Sequence, residues 1–116
     1  MEEAQLKIRI TYANKIVMGP GKAELLDAID HFGSISAAAK SMKMSYKRAW
    51  DLTNLINISF KEPLIETSPG GKHGGGARLT DFGRFILSSY RSLVEKTYAS
   101  VQVELDNILN NLNPSE

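Results

Sequence analysis

The stretch Gly33-Ser-Ile-Ser-Ala-Ala-Ala-Lys-Ser-Met-Lys-Met-Ser-Tyr-Lys-Arg-Ala-Trp50 decides the fold of this 116-residue chain. It predicts two short helices joined by a tight turn, because small alanines let helices cross closely and Ser45 is a good N-cap. Hydroxyl and basic side chains stand where the second helix begins. This arrangement is typical of a helix-turn-helix, which places the start of its second helix in the major groove of DNA.

The residues before this stretch predict a strand hairpin and one helix. Leu6-Lys-Ile-Arg-Ile-Thr-Tyr12 alternates apolar and polar side chains, the period of a half-buried strand, and Ile16–Met18 is a short return strand. Gly19-Pro-Gly21 then breaks the pattern. From Lys22 the apolar residues recur at helical spacing up to Gly33, which is a natural stop for a helix.

Within the helix-turn-helix, we predict a helix over residues 37–42, with Ser34 and Ser36 as candidate caps. A further helix is predicted over 45–60, since Pro63 ends it. Trp50 lies out of phase with the inward stripe of that helix, and we favour packing at the hairpin or the wing over base contact. The inward stripe consists of Ala49, Leu52, Ile56 and Phe60.

The next residues predict a second hairpin with a glycine-rich tip. Leu64–Thr67 is β-prone, residues 68–76 contain five glycines, and Ala77–Thr80 is a candidate return strand. This hairpin is interpreted as the wing of a winged helix-turn-helix. A nucleotide-binding loop would need GxxxxGK[ST] between a strand and a helix, and the sequence lacks that order. A plain loop is the remaining alternative.

A long helix is predicted from Thr80 to about Leu112. Roughly thirty residues of helix extend ~45 Å, which a small domain cannot bury along its whole length. Its apolar residues recur at steps of three and four, a narrow seam of coiled-coil type. We favour a dimer seam over a peptide-binding groove or a membrane-surface helix, because the later charges are acidic on balance. The predicted dimerisation residues are Tyr90, Val94, Tyr98, Val101, Leu105, Ile108 and Leu112.

The formal net charge of +1 conceals an uneven distribution. Residues 34–91 carry nine basic and four acidic side chains, whereas residues 1–33 and 92–116 are both net acidic. Positive charge around the helix-turn-helix is the pattern expected of a nucleic-acid footprint. Solvation of a surface helix is the plainer interpretation of Lys47 and Arg48.

Double-stranded DNA is therefore the predicted partner. Serine hydroxyls and helix-start amides suit phosphate, and lysine and arginine suit the acceptors of guanine. The candidate DNA-binding residues are Ser34, Ser36, Lys43, Ser45, Tyr46, Lys47, Arg48, Lys72, His73 and Arg78.

Composition argues against several other classes. The chain has no cysteine, and His31 and His73 lie far apart, so we expect neither a metal site nor a cofactor. No apolar run approaches the ~20 residues of a membrane span. The acidic start, Met1-Glu-Glu, does not match a signal peptide, and we expect a cytoplasmic protein. Neither histidine has an evident partner for catalysis, so an enzyme is not expected.

Several motifs resemble the N-terminal DNA-binding domain of ModE-type molybdate-responsive regulators, whose layout is related to that of LysR-type regulators. The resemblance extends from about residue 20 to 112. The motifs are Leu25-Leu-Asp-Ala-Ile29, Gly33-Ser-Ile-Ser-Ala-Ala-Ala-Lys40, Met44-Ser-Tyr-Lys-Arg-Ala-Trp-Asp51, Pro63-Leu-Ile-Glu66, Gly74-Gly-Gly-Ala-Arg-Leu-Thr80 and Phe82-Gly83.

This resemblance implies a mainly α fold with small β-hairpins. Residues 1–80 would form the N-terminal hairpin and the winged helix-turn-helix, and residues 81–116 a long C-terminal dimerisation helix of the same domain. It also implies a homodimer joined through these long helices, with the recognition helix in the major groove and the wing on the DNA backbone.

One departure concerns the signal. Family members carry a C-terminal oxyanion-binding module, and this sequence ends after the long helix, so direct sensing of molybdate is not expected. A stand-alone regulator, a separate oxyanion-sensing partner and a different signal remain open. The rivals to DNA binding are a winged-helix protein-interaction module and an enzyme or small-ligand sensor.

Overall fold

The computed structural model describes residues 6–69 and 75–114. Two antiparallel hairpins and five helices make up this part of the chain. In chain order the elements are β1 (Ile10–Tyr12), β2 (Lys15–Met18), α1 (Pro20–Phe32), α2 (Ile35–Ser41), α3 (Tyr46–Ser59), β3 (Ile65–Thr67), β4 (Ala77–Leu79), α4 (Asp81–Ser100) and α5 (Gln102–Leu109).

The core lies where α1, α2, α3 and the second hairpin meet. Leu25, Leu26 and Ile29 of α1 are fully buried, together with Ile56 of α3 and Leu64 before β3. Burial of one such side chain contributes about 1.5–3 kcal/mol. Ala38, Ala39 and Ala49 are buried as well, which confirms that small residues stand where α2 and α3 pack closely.

Local signals place the helix ends. Gly33 adopts φ 77°, a left-handed conformation that ends α1 and favours glycine. Ser34 is the N-cap of α2, and its hydroxyl accepts the Ala37 amide at 3.0 Å. Because Ser34 rather than Ser36 is the cap, α2 begins at Ile35, two residues before the prediction. The predicted start of α1 at Lys22 was likewise late, since Pro20 suits a first helical turn.

The predicted first strand is shorter than its alternating pattern. Only Ile10–Tyr12 pairs with β2, opposite residues 15–18. Before Ile10 the backbone bonds to tyrosine hydroxyls of α4: the Leu6 amide donates to Tyr98 Oη at 3.2 Å. Tyr90 Oη in turn donates to the Ile8 carbonyl at 2.6 Å. The N-terminal segment therefore packs along α4.

The long C-terminal helix is interrupted at Val101, where the prediction had one continuous helix. Val101 has φ −117° and ψ 14°, which lies outside helical values. Side chains compete for the backbone there, since the Ser100 hydroxyl donates to the Thr97 carbonyl at 3.0 Å. The Gln102 amide side chain likewise donates to the Tyr98 carbonyl at 3.1 Å. The second part, α5, ends at Leu109 rather than at about Leu112.

Gly83 fixes the start of α4 against the second hairpin. A Cβ at this position would overlap the Leu64 carbonyl oxygen and lie 2.9 Å from the carbonyl carbon. Thr80 caps α4, because its hydroxyl accepts the Gly83 amide at 2.9 Å and donates to the Pro63 carbonyl at 2.8 Å. The wing and α4 are thus joined through backbone contacts.

Candidate nucleic-acid interface

The start of α3 forms an exposed, capped helix tip. Ser45 Oγ accepts the Arg48 amide at 3.1 Å, which confirms the predicted N-cap. Tyr46, Lys47 and Arg48 follow directly, and all three side chains are exposed. Ala49 is the first buried residue of the helix, so everything before it is free to contact a partner.

One side of this tip is cationic. Lys47 and Arg48 lie beside Ser45 and Asp51 in a shallow surface depression. Lys47 Nζ is 2.9 Å from Asp51 Oδ2, and the two side chains are 84% and 55% exposed. An ion pair this exposed contributes little to stability, so Lys47 can exchange it for another anion at small cost.

The other side of the tip is aromatic and faces the wing. Tyr46 and Trp50, one helical turn apart, are 54% and 46% exposed. They line an open groove of about 380 Å³ with Ser36 of α2 and with Thr67 and Ser68 of the wing.

The exposure of Trp50 differs from the prediction, which favoured core packing at the hairpin or the wing. The inward face of α3 is set by Ala49, Thr53 and Ile56. Trp50 lies outside that face and is therefore left beside the groove. Thr53 was missed as a buried residue, while Leu52 and Phe60, predicted to face inward, are half-buried.

The wing is held against the helix-turn-helix by backbone hydrogen bonds. In its sheet Ile65 lies opposite Leu79. The Ala77 amide donates to the Gly33 carbonyl at 2.8 Å, which connects β4 to the end of α1. The Ser68 amide donates to the Gly76 carbonyl at 2.9 Å and closes the hairpin above its last strand pair.

Asn57 positions β3, and no sequence pattern identified it. Its Oδ1 accepts the Leu64 amide at 2.9 Å and the Ile65 amide at 3.0 Å, and its Nδ2 donates to the Ile65 carbonyl at 2.9 Å. These three bonds connect α3 directly to the wing. A lone asparagine in a helix has many other uses, so only the fold shows what it binds.

Ion pairs divide the basic residues into two groups. Arg84 pairs with Asp30 at 2.9 Å and Arg91 pairs with Asp27, so both connect α4 to α1. Arg78 of the wing pairs with Glu66 at 2.6 Å and stays largely exposed. Among residues 6–69 and 75–114, three cations of the helix-turn-helix have no carboxylate within 4 Å: Lys40 of α2, Lys43 of the turn and Arg48 of α3. Six described cations elsewhere also lack such a partner: Lys7, Arg9, Lys15, Lys22, Lys61 and Lys96. Positive charge that is free to meet a partner is thus present on the helix-turn-helix but is not confined to it.

The predicted DNA-binding residues fall into three sets. Ser34, Ser36 and Tyr46 share one groove with Thr67 and Ser68 of the wing, whereas Arg78 does not line that groove and pairs with Glu66. Ser45, Lys47 and Arg48 share the cationic side of the tip, while Lys43 is exposed in the turn at φ 56°. Lys72 and His73 lie outside the described residues.

The predicted dimer seam has two unlike halves. Tyr90 is buried, and Val94 packs against the core of the same chain. Burial raises the pKa of Tyr90 above its usual 10.0, although Arg9 and Arg91 act in the opposite direction. Farther along, Ile108 and Leu112 are 62% and 57% exposed, and α5 contains no buried residue. Tyr98, Val101 and Leu105 are half-buried.

The described residues offer neither a cluster of metal ligands nor a membrane-spanning helix. No group of three or more His, Asp or Glu side chains in this part of the chain is arranged to hold a metal ion. No helix there is both long and apolar enough to cross a membrane.

The amino-acid sequence of this chain is similar to those of several known proteins. The chain is 45% identical over 89 residues to the molybdenum transport protein ModE of Azotobacter vinelandii, covering 77% of this chain and 33% of that protein. It is 37% identical over 93 residues to the DNA-binding transcriptional dual regulator ModE of Escherichia coli K12, covering 80% and 36%. It is also 40% identical over 102 residues to the molybdenum-pterin-binding protein MopB of Rhodobacter capsulatus, covering 85% and 36%.

The chain thus spans about a third of the length of these relatives and is homologous to ModE-type regulators over their N-terminal part. No family model matches it. Among solved structures, the DNA-binding domain of CbnR in complex with DNA matches with a TM-score of 0.57 at 19% identity, over 76% of this chain and 95% of that one. The fold is a winged helix-turn-helix that matches the DNA-binding domain of CbnR, as expected.

Proposed function

We propose that this chain is a sequence-specific DNA-binding transcription regulator that acts as a homodimer. The observation that carries the proposal is the capped, exposed start of α3, with Lys47 and Arg48 on one side and the wing on the other. The similarity to a DNA-binding transcriptional regulator and the DNA complex of the structural neighbour support the same function.

The start of α3 enters the major groove in this proposal. A helix that enters by its N-terminus presents its first turn to the base edges, and Arg48 has the donors to bind guanine. Lys43 in the preceding turn and Lys40 on α2 lie where they can reach phosphates. Because cations supply much of the affinity, binding weakens as salt rises.

The dimer is formed by the apolar residues that α5 and the residues directly beside it carry. Val101, Leu105, Ile108 and Leu112 repeat at steps of four, three and four, the spacing of a two-helix seam. A two-fold axis through that seam sets two recognition helices about 34 Å apart, one turn of B-form DNA, or a multiple of it.

The direct test uses genomic DNA fragments selected by the purified protein, followed by fluorescence anisotropy on the selected duplex. The double change Lys47→Ala, Arg48→Ala is expected to abolish specific binding while the protein stays folded and dimeric. The matched control is Lys15→Ala, Lys96→Ala, which removes the same charge at exposed sites away from the tip and is expected to keep most of the affinity.

Two results would contradict the proposal. If the unmodified protein selects no fragment and does not bind duplex even at low salt, the winged-helix protein-interaction module becomes the better explanation. If both double variants lose the same affinity, overall charge rather than the α3 tip holds the DNA.

The signal is a separate part of the proposal. We propose that a response to molybdate reaches this DNA-binding part through a separate oxyanion-sensing partner. Molybdate added to the purified chain is then expected to leave the Kd for DNA unchanged. A clear shift in the Kd would place the sensor in the chain itself.

A further inference from the structure

The groove between α3 and the wing differs from the rest of the proposed interface in its chemistry. Its lining contains hydroxyl groups, aromatic rings and glycine backbone, and no acidic or basic residue in the part of the chain that the structure describes. The lining residues are Ser34, Ile35, Ser36, Tyr46, Trp50, Thr67, Ser68, Gly75 and Gly76.

The hydroxyl groups of this groove retain donor capacity. Ser34 Oγ accepts the Ala37 amide and Ser68 Oγ accepts the Gly76 amide, which leaves each hydroxyl proton free to donate. The exposed side chains of Ser36 and Thr67 carry two more hydroxyls. Several neutral donors beside exposed aromatic rings suit a ligand with both anionic oxygens and apolar carbon.

A deoxyribose-phosphate strand is such a ligand, and the layout brings one to this place. If α3 lies in the major groove, the wing beside it must meet the wall of that groove, and the wall is a sugar-phosphate backbone. The groove of about 380 Å³ between α3 and the wing lies on that path. Trp50, 46% exposed, is its largest side chain.

We propose that this groove holds one strand of the DNA backbone through neutral contacts, with Trp50 as its main packing surface. The inference rests on the proposed DNA-binding function and adds a role for Trp50. Contacts of this kind position the duplex and carry no sequence information directly. They also neutralise no phosphate charge, so they release no counterions.

The salt dependence of binding separates this role from that of a cation. Trp50→Ala is expected to weaken binding about tenfold at every salt concentration, so the slope of log affinity against log salt stays that of the unmodified protein. Lys40→Ala, which removes a cation proposed to reach a phosphate, is expected to make that slope shallower by about one. The control is Tyr12→Ala, which removes an aromatic ring that is 77% exposed on the first hairpin and is expected to change neither quantity.

A second measurement needs no variant, because Trp50 is the only tryptophan of the chain. Its fluorescence in the free protein is expected to be quenched readily by acrylamide, a neutral quencher that leaves ionic strength unchanged. Saturation with the selected duplex is expected to protect it several-fold. This measurement still tests the role of Trp50 if the Trp50→Ala protein fails to fold.

Two outcomes would overturn the inference while leaving DNA binding intact. Quenching that is unchanged in the saturated complex would show that no strand covers Trp50. A Trp50→Ala protein that loses preference at one base pair, rather than affinity for all duplexes equally, would make Trp50 a base-reading residue. An unmodified protein that binds no duplex would instead refute the proposed function itself.

Discussion

The α2–α3 region and the α5 region use apolar residues in opposite ways. Ala38, Ala39 and Ala49 are at most 2% exposed, so α2 and α3 pack on each other within the chain, while Tyr46, Trp50 and Ile58 of α3 stay exposed. In α5 no residue is buried, and Val103 and Ile108 are more than 60% exposed. The first region has a buried core within a single chain, whereas the second has none and leaves apolar surface of the kind that usually marks an interface.

The largest effect is expected for Gly83→Ala, which tests how tightly α4 packs against the wing. A methyl group there overlaps the backbone of Leu64, which cannot move without displacing β3. We expect a loss of at least about 3 kcal/mol in the free energy of unfolding, measured by urea denaturation. The control is Gly21→Ala in α1, where nothing lies within 4 Å of the added Cβ, and a gain of up to about 1 kcal/mol is expected. Equal effects of the two changes would show that the junction is not tightly packed.

The next prediction concerns the exposed apolar residues of α5. Ile108→Asp places a charge in the proposed seam and is expected to raise the Kd of the dimer about a hundredfold, or ~2.7 kcal/mol. Sedimentation equilibrium measures this Kd directly. Val103→Asp is the control, because Val103 is as exposed as Ile108 but lies on the opposite side of α5. If both changes dissociate the dimer equally, or neither does, the seam is placed wrongly.

A smaller effect is expected at Asn57, which connects α3 to the wing. Asn57→Ala leaves the Leu64 and Ile65 amides without their acceptor and is expected to cost about 2 kcal/mol of stability. Asn54→Ala, on the exposed side of the same helix, should stay within about 0.5 kcal/mol. Thermal denaturation of the two variants side by side decides between these expectations.

The smallest effect is expected at Tyr90, where α4 holds the N-terminal segment. Tyr90→Phe removes the hydrogen bond to the Ile8 carbonyl and should cost about 1 kcal/mol near neutral pH. Tyr12→Phe, at an exposed position, serves as the control.

The pH dependence supplies a second readout for Tyr90. Its pKa is raised by burial in the native state, so the unfolded chain ionises first, near pH 10. The corresponding stability is present below pH 10 and is lost as pH rises through the native pKa. Urea denaturation between pH 8 and 11 should therefore show a shallower alkaline loss for Tyr90→Phe than for the unmodified protein. An identical loss in both would assign it to other groups.

Elements with strong local signals were predictable from the sequence. Gly33 ends α1 through its left-handed conformation, and Ser45 caps α3, because both effects depend on one or two residues. The winged fold followed from the order of these elements and from the family resemblance. The predicted DNA contacts and the dimer seam remain predictions.

Other features depended on tertiary contacts that no local pattern records. Thr53 is buried on the inward face of α3, although sequence patterns assign a polar residue to the surface, and Trp50 stays 46% exposed beside the wing. The strand pattern of residues 6–12 was cut short by the hydroxyls of Tyr90 and Tyr98, more than eighty residues away. At the break at Val101, the side chains of Ser100 and Gln102 donate to carbonyl groups of α4 and compete there with the helical backbone.

The attachment of β4 has a consequence for how such a chain can diverge. Its two ends are fastened by the bonds from the Ala77 amide to the Gly33 carbonyl and from the Thr80 amide to the Leu64 carbonyl. The bond between Ser68 and Gly76 then seals the base of the turn. Insertions or deletions between these two residues therefore leave the scaffold undisturbed and cost little closure entropy. The length of the wing tip can therefore change in evolution without altering the helix-turn-helix to which the wing is attached.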